Sequence, residues 1–131
     1  MTRLEGLRAL HAAVKDGRAI DQSATTFGAD LELLWHCFPT KTPPVSDAAR
    51  HARFAWGGSV DAALALLAAT LPGWEWGITV NAEEPTPTAF VAGWGDTGIG
   101  KCETHPDPAT ALLLAIIAAR IAQEEAKRRT D

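Results

Sequence analysis

Residues 59–80 read Ser59-Val60-Asp61-Ala62-Ala63-Leu64-Ala65-Leu66-Leu67-Ala68-Ala69-Thr70-Leu71-Pro72-Gly73-Trp74-Glu75-Trp76-Gly77-Ile78-Thr79-Val80, and two hydrophobic periods meet inside them. Val60, Leu64, Leu67 and Leu71 recur at helical spacing behind a Ser59 hydroxyl suited to cap a helix. Pro72 and Gly73 end that helix. Beyond them Trp74, Trp76, Ile78 and Val80 alternate with Glu75, Gly77 and Thr79, the period of a strand. A helix that turns at once into a strand is thus predicted here, with Trp74 and Trp76 in the core.

Downstream, Thr88 to Trp94 forms the next strand, setting Phe90, Ala92 and Trp94 against Ala89, Val91 and Gly93. A weaker third strand is predicted from Ile99 to Thr104. Asp107 caps the last helix and Pro108 takes its first position, where a missing N–H does no harm. That helix is apolar almost all round from Ala109 to Ala119 and ends in a charged turn, with Glu124–Arg128 and Glu125–Arg129 pairs four apart.

Upstream, Leu4, Leu7, His11 and Val14 mark one face of a helix over 3–15. A short helix through Ile20, Ala24 and Phe27 and another through Leu31, Leu34, Trp35 and Phe38 follow. Residues 39–58 are the least regular segment, broken by Pro39, Pro43, Pro44, Gly57 and Gly58. One helical turn around 46–52 and an extended piece carrying Phe54 and Trp56 are predicted there.

The chain of 131 residues is read as a single domain over 1–131. It comprises a helical N-terminal part (1–38), the Pro/Gly-rich segment (39–58) and a helix–strand–strand–helix core (59–131). The class is α+β: an α/β/α layered sandwich with a small two- or three-stranded antiparallel sheet, N-terminal helices and a long C-terminal helix. The bulky sheet face is expected to receive the helices at 60–71 and 108–127. The Ala89, Val91, Gly93 face is left for an N-terminal helix or a partner.

Taken together, Ser59-Val60-Asp61-Ala62-Ala63-Leu64-Ala65-Leu66-Leu67, Leu71-Pro72-Gly73-Trp74-Glu75-Trp76 and Pro108-Ala109-Thr110-Ala111-Leu112-Leu113 resemble the phage ABA sandwich domain family. The resemblance covers about residues 59–122. It implies an α/β/α sandwich from a phage or prophage and brings no catalytic residues. The Pro-rich segment at 39–58 departs from the pattern.

Charge is unevenly placed. Residues 54–119 hold Lys101 as their one cation against Asp61, Glu75, Glu83, Glu84, Asp96, Glu103 and Asp107, whereas both flanks are net +1. Direct nucleic-acid binding needs a clustered basic surface, so no nucleic acid is expected as a partner. A protein with a basic surface suits the acidic middle better. The longest apolar run, Ala111 to Ala119, is short of the roughly 20 residues that cross a bilayer. No signal peptide is read at the N-terminus. The expected location is the cytoplasm of a host bacterial cell, with Cys37 and Cys102 as free thiols.

Several motifs invite chemistry. Gly95 to Lys101 matches G-x-x-x-x-G-K, but Cys102 replaces the metal-binding hydroxyl and Pro106 and Pro108 delay any helix, so a Gly-rich hairpin turn explains it. Cys102-x-x-His105 beside His36-Cys37 falls short of a zinc framework. His11 reads as a satisfied core or boundary histidine. No catalytic constellation is readable. The chain is expected not to be an enzyme and to use no cofactor or metal.

The candidate interaction residues are Glu75, Glu83, Glu84, Asp96 and Glu103, gathered on one edge, with Trp56 and Trp94 as aromatic anchors. The leading expectation is a phage or prophage accessory protein that binds another protein, inhibiting a host defence complex in the manner of an anti-CRISPR. Two alternatives stand beside it. One is a nucleotide-signal sponge with a pocket lined by Trp56, Trp94 and the Gly95–Lys101 turn. The other is a self-associating virion or morphogenesis component, a homodimer using the apolar helix at 109–119.

Overall fold

A computed structural model describes residues 2–16, 33–34, 36–38, 48–80, 83, 86–93 and 98–130. The predicted helix around Ile20–Phe27, most of the Pro-rich segment, and Trp35, Glu84, Trp94 and Asp96 lie outside the described residues. Helix α1 spans Arg3–Lys15, α2 Ala48–Trp56, α3 Val60–Thr70 and α4 Pro108–Thr130; strands β1 Glu75–Thr79, β2 Thr88–Gly93 and β3 Ile99–Thr104 form one sheet. Its order is β1-β2-β3, antiparallel throughout. The fold is α+β, and the third strand is present.

The signals at 59–80 act as read. The Ser59 hydroxyl accepts from the Ala62 N–H at 3.1 Å, and the helix closes at Leu71, whose N–H reaches the Leu67 carbonyl. Asp107 starts α4, accepting from the Ala109 N–H at 3.1 Å and from the Thr110 hydroxyl at 3.0 Å. The two starts lie together. Gly58, at φ +106°, sits where a Cβ would come within 3.3 Å of Asp107 Oδ2, so both its backbone and its position call for glycine. At α1, Thr2 and Glu5 form a capping box, the T-x-x-E pattern of a helix start.

Helix α4 is the centre of the molecule. It packs on β2 and β3 on one side and meets α1, α2 and α3 on others. Residues 109–117 are buried through more than two full turns. A helix apolar all round is one that neighbours cover all round. The expected use of 109–119 as a dimerisation face is therefore overturned: its own sheet and helices occupy that surface. At its far end Glu125 meets Arg8 of α1 at 3.7 Å and Glu124 meets Lys127 at 3.5 Å, in place of the predicted Glu124–Arg128 pair. The Arg129 side chain lies outside the described residues.

Three local readings are corrected. Residues 48–56 are helical, where one turn and an extended piece were expected. Ala48, Ala49, Ala52, Ala55 and Trp56 recur at helical spacing and are buried. Positions two apart on a helix point roughly 200° from each other, which is why Phe54 is exposed while Trp56 faces the core. On β2 the expected faces are inverted, whereas on β1 Ile78 lies on the helix-facing side as expected. Ala89 and Val91, expected on the smooth face, are fully buried in the cluster that contains Leu113 and Ile116, because small and β-branched residues let α4 lie close. The other face, bearing Glu75, Thr79, Gly100, Cys102 and Thr104, is exposed. Finally, Trp74 packs partly against the core, whereas Trp76 is 45% exposed. Helix α4 lies over β2 and β3 rather than β1, so Trp76 extends past its cover.

Candidate interaction edge

Strand β1 is the outer strand of the sheet. It pairs with β2 through Glu75↔Ala92 to Thr79↔Thr88, and among the described residues no strand lies on its other side. Trp76, beyond the reach of α4, lies on it, and Val80, 63% exposed, follows its last residue. Glu75 opens the strand and Glu83 follows it; both are exposed. An outer strand with an exposed aromatic side chain is a candidate surface for a further chain. The exposed carboxylates limit indiscriminate pairing there.

The acidic cluster predicted from sequence does not assemble as drawn. Glu103 pairs in register with Ala89 on β3, whereas Glu75 pairs with Ala92 on β1, so they stand at opposite edges and on opposite faces. Glu103 is half-buried beneath α1, where its Oε2 accepts from His11 Nε2 at 2.8 Å. His11 is thus a boundary histidine with its partner found 92 residues away, a pairing that no local spacing signals. Glu75, at the start of β1, and Glu83, beyond its end, are exposed. Trp56, named as an anchor, is 7% exposed in the core. Glu84, Asp96 and Trp94 lie outside the described residues.

The motifs read for chemistry are dispersed. Lys101 and Cys102 belong to β3, so a strand and not a helix follows the Gly-rich run. A phosphate loop needs the helix N-terminus at that point. His105 Nδ1 accepts from the Asp107 N–H at 3.0 Å, and His36 Nε2 donates to the Thr2 carbonyl at 3.0 Å. Both cysteines are free; Cys37 is buried and Cys102 exposed on the open sheet face. Among the described residues no three His, Cys, Asp or Glu side chains gather to hold a metal ion.

One further polar cluster joins the start of α1 to α4. Burial pushes the Cys37 thiol up to about 12, against the opposing pull of the Arg3 and Arg120 charges. Such a thiol is protonated at neutral pH and is a poor nucleophile. Burial also lowers Arg120 from its usual value, with Glu124 opposing and Arg3 reinforcing the shift. Arg120 Nη1 donates to Gln123 Oε1 at 2.8 Å, while the Nε atoms of Arg3 and Arg120 are buried without a hydrogen-bond partner.

No protein-family model, no curated protein sequence and no solved structure matches this chain. Among the described residues no helix is long and apolar enough to cross a membrane.

Proposed function

We propose that this protein works by binding another protein along β1, and not by catalysis. The exposure of Trp76 at an outer strand, with Val80 beside it, carries the reading. A tryptophan buries more apolar area than almost any other side chain and is the commonest type of binding hot spot. The molecule does not use that area for its own core. Glu75 and Glu83 add a negative rim, so the suited partner is basic where it meets the strand.

The phage or prophage setting implied by the sequence resemblance turns this into a specific expectation. The partner is a host defence complex of the kind anti-CRISPR proteins inhibit, and the bound protein occludes a surface that otherwise holds nucleic acid. A pocket for a nucleotide signal gains nothing comparable, since Trp56, drawn as its wall, is in the core.

The test uses purified guide-loaded effector complexes and a target-DNA mobility shift. The wild-type chain should block DNA capture in a concentration-dependent way. Trp76→Ala should weaken that block by about thirtyfold or more, the scale of a hot-spot loss of about 2 kcal/mol. Charge reversal at Glu75 and Glu83 should weaken it further at low salt. A chain that leaves every effector unaffected, or a Trp76→Ala variant as potent as wild type, would overturn the reading.

A further inference from the structure

We propose that the junction of α1 and α4 is an anion site, where the guanidinium groups of Arg3 and Arg120 hold a phosphate, as the free ion or as the monoester of a small molecule. The site is separate from β1 and shares no residue with it.

Three segments bring the two cations to one place. Arg3 is the first residue of α1, and Arg120 lies on α4, along which α1 packs. His36 Nε2 donates to the Thr2 carbonyl at 3.0 Å, which holds residues 36–38 against the start of α1. Cys37 is buried there, and the charges of Arg3 and Arg120 both bear on it, as Arg3 does on Arg120. Neither cation has the counter-ion that this position calls for. Glu5 accepts from Thr2, Glu125 meets Arg8 at 3.7 Å, and Glu124, whose charge Arg120 feels, makes its ion pair with Lys127 at 3.5 Å. Among the described residues no carboxylate lies within ion-pair distance of Arg3 or Arg120. Arg120 Nη1 donates to the neutral amide of Gln123, and the Nε atoms of both arginines are buried without a partner.

Two like charges drawn partly out of water cost free energy unless something opposes them. A lysine could relieve that cost by losing its proton, but a guanidinium keeps its proton at neutral pH. An anion is the remaining means of relief. One carboxylate would offset one of the two charges. A phosphate carries about −1.5 to −2 at neutral pH and offsets both. Its oxygens also match the planar fork of guanidinium donors. Both arginines are half-buried, so an anion reaches them from solvent. The dry surroundings of their Nε atoms strengthen the attraction once it arrives.

The test is thermal unfolding of the full chain in added sodium phosphate, against sodium chloride at the same ionic strength. The unfolding temperature should rise and saturate with phosphate and stay level with chloride. Phenyl phosphate run in parallel separates the two sources, and tighter binding of either species supports the site. Arg3→Met and Arg120→Met should each weaken phosphate binding by about tenfold or more. Without phosphate both variants should unfold at or above the wild-type temperature, because each loses a repelling charge that has no ion-pair partner. Lys15→Gln, at the far end of α1, should keep the full response. Should a methionine variant fail to fold by circular dichroism, Arg3→Gln and Arg120→Gln serve in its place, with the same loss.

Equal shifts in phosphate and chloride would reduce the effect to charge screening and overturn the proposal. So would a wild-type chain that shifts with neither phosphate species, or folded arginine variants that respond as wild type. Arginine variants that lose stability in the absence of phosphate would assign the two side chains to the scaffold alone and overturn it too. None of these outcomes bears on β1, whose test reads a different residue and a different ligand.

Discussion

Two apolar stretches of this chain have opposite fates. Residues 109–117 are a helix buried on every side; residues 75–79 are a strand, and Trp76 on it and Val80 just past its end reach solvent. Read as composition, the first suggested a surface for self-association and the second a core. Neighbours reverse both assignments. Helix α4 meets the sheet and three helices, so its all-round apolarity is consumed within the fold. Strand β1 has β2 on one side, and the helix that covers the sheet lies over the other two strands. Apolar content fixes how much surface needs a partner. Only the packing arrangement says whether the partner belongs to the same molecule.

The largest effect should come from testing that difference directly. Leu113 is fully buried at the centre of α4. Leu113→Ala should lower unfolding stability by about 3 kcal/mol, the sum of lost transfer energy and an incompletely filled cavity. Trp76→Ala removes a larger side chain and should cost no more than about 1 kcal/mol, since nearly half of it is already in water. Urea unfolding of both variants checks the contrast. If Trp76→Ala destabilises as much as Leu113→Ala, β1 is core and the reading of it as a binding edge fails.

Much of this fold is legible in residues 59–130, because its boundaries are set by local chemistry. Ser59, Pro72, Gly73, Asp107 and Pro108 act within a few residues of themselves and need no knowledge of the rest of the chain. Helix α2 is legible too, in the helical spacing of Ala48, Ala52, Ala55 and Trp56, although the prolines and glycines around it lower the helical expectation for the segment. The choice of sheet face was not legible. Ala89–Val91 and Phe90–Ala92 are both apolar alternations, and only the close approach of α4 selects the smaller pair. The candidate edge was half legible. Glu75 and Glu83 were named, but Trp76 was assigned to the core, because alternation tells which face a residue is on and not whether that face is covered. The His11–Glu103 bond, across 92 residues, leaves no trace in local pattern.

A smaller effect should sharpen the comparison at β1 itself. Gly77 lies opposite Phe90 in the ladder, and a Cβ on Gly77 would overlap the Phe90 ring. The ring thus lies across the strand on the face away from α4, and it is only half-buried. Gly77→Ala should cost about 2 kcal/mol through overpacking. Adding Phe90→Ala should remove most of that penalty, giving a favourable coupling in a double-mutant cycle. If the two losses simply add, the ring does not rest on Gly77, and β1 is held by its ladder and by Trp74 and Ile78 alone.

The smallest effect contrasts the buried and open sides through their thiols. Cys102, exposed on the open sheet face, should react at once with a thiol reagent, whereas Cys37 should react only as the protein unfolds. The buried thiol should also link stability to pH. The folded state holds the Cys37 proton up to about 12, whereas an unfolded thiol releases it near 8.5. Between those values the folded state binds more protons than the unfolded one, so stability from this group is present below the lower value and lost as pH rises. The loss should be at most about 1 kcal/mol per pH unit. Cys37→Ala should flatten the alkaline slope of stability relative to wild type. Equal slopes for the two proteins would mean that the thiol is not held in a dry interior, and the α1–α4 junction would then be as open to water as β1.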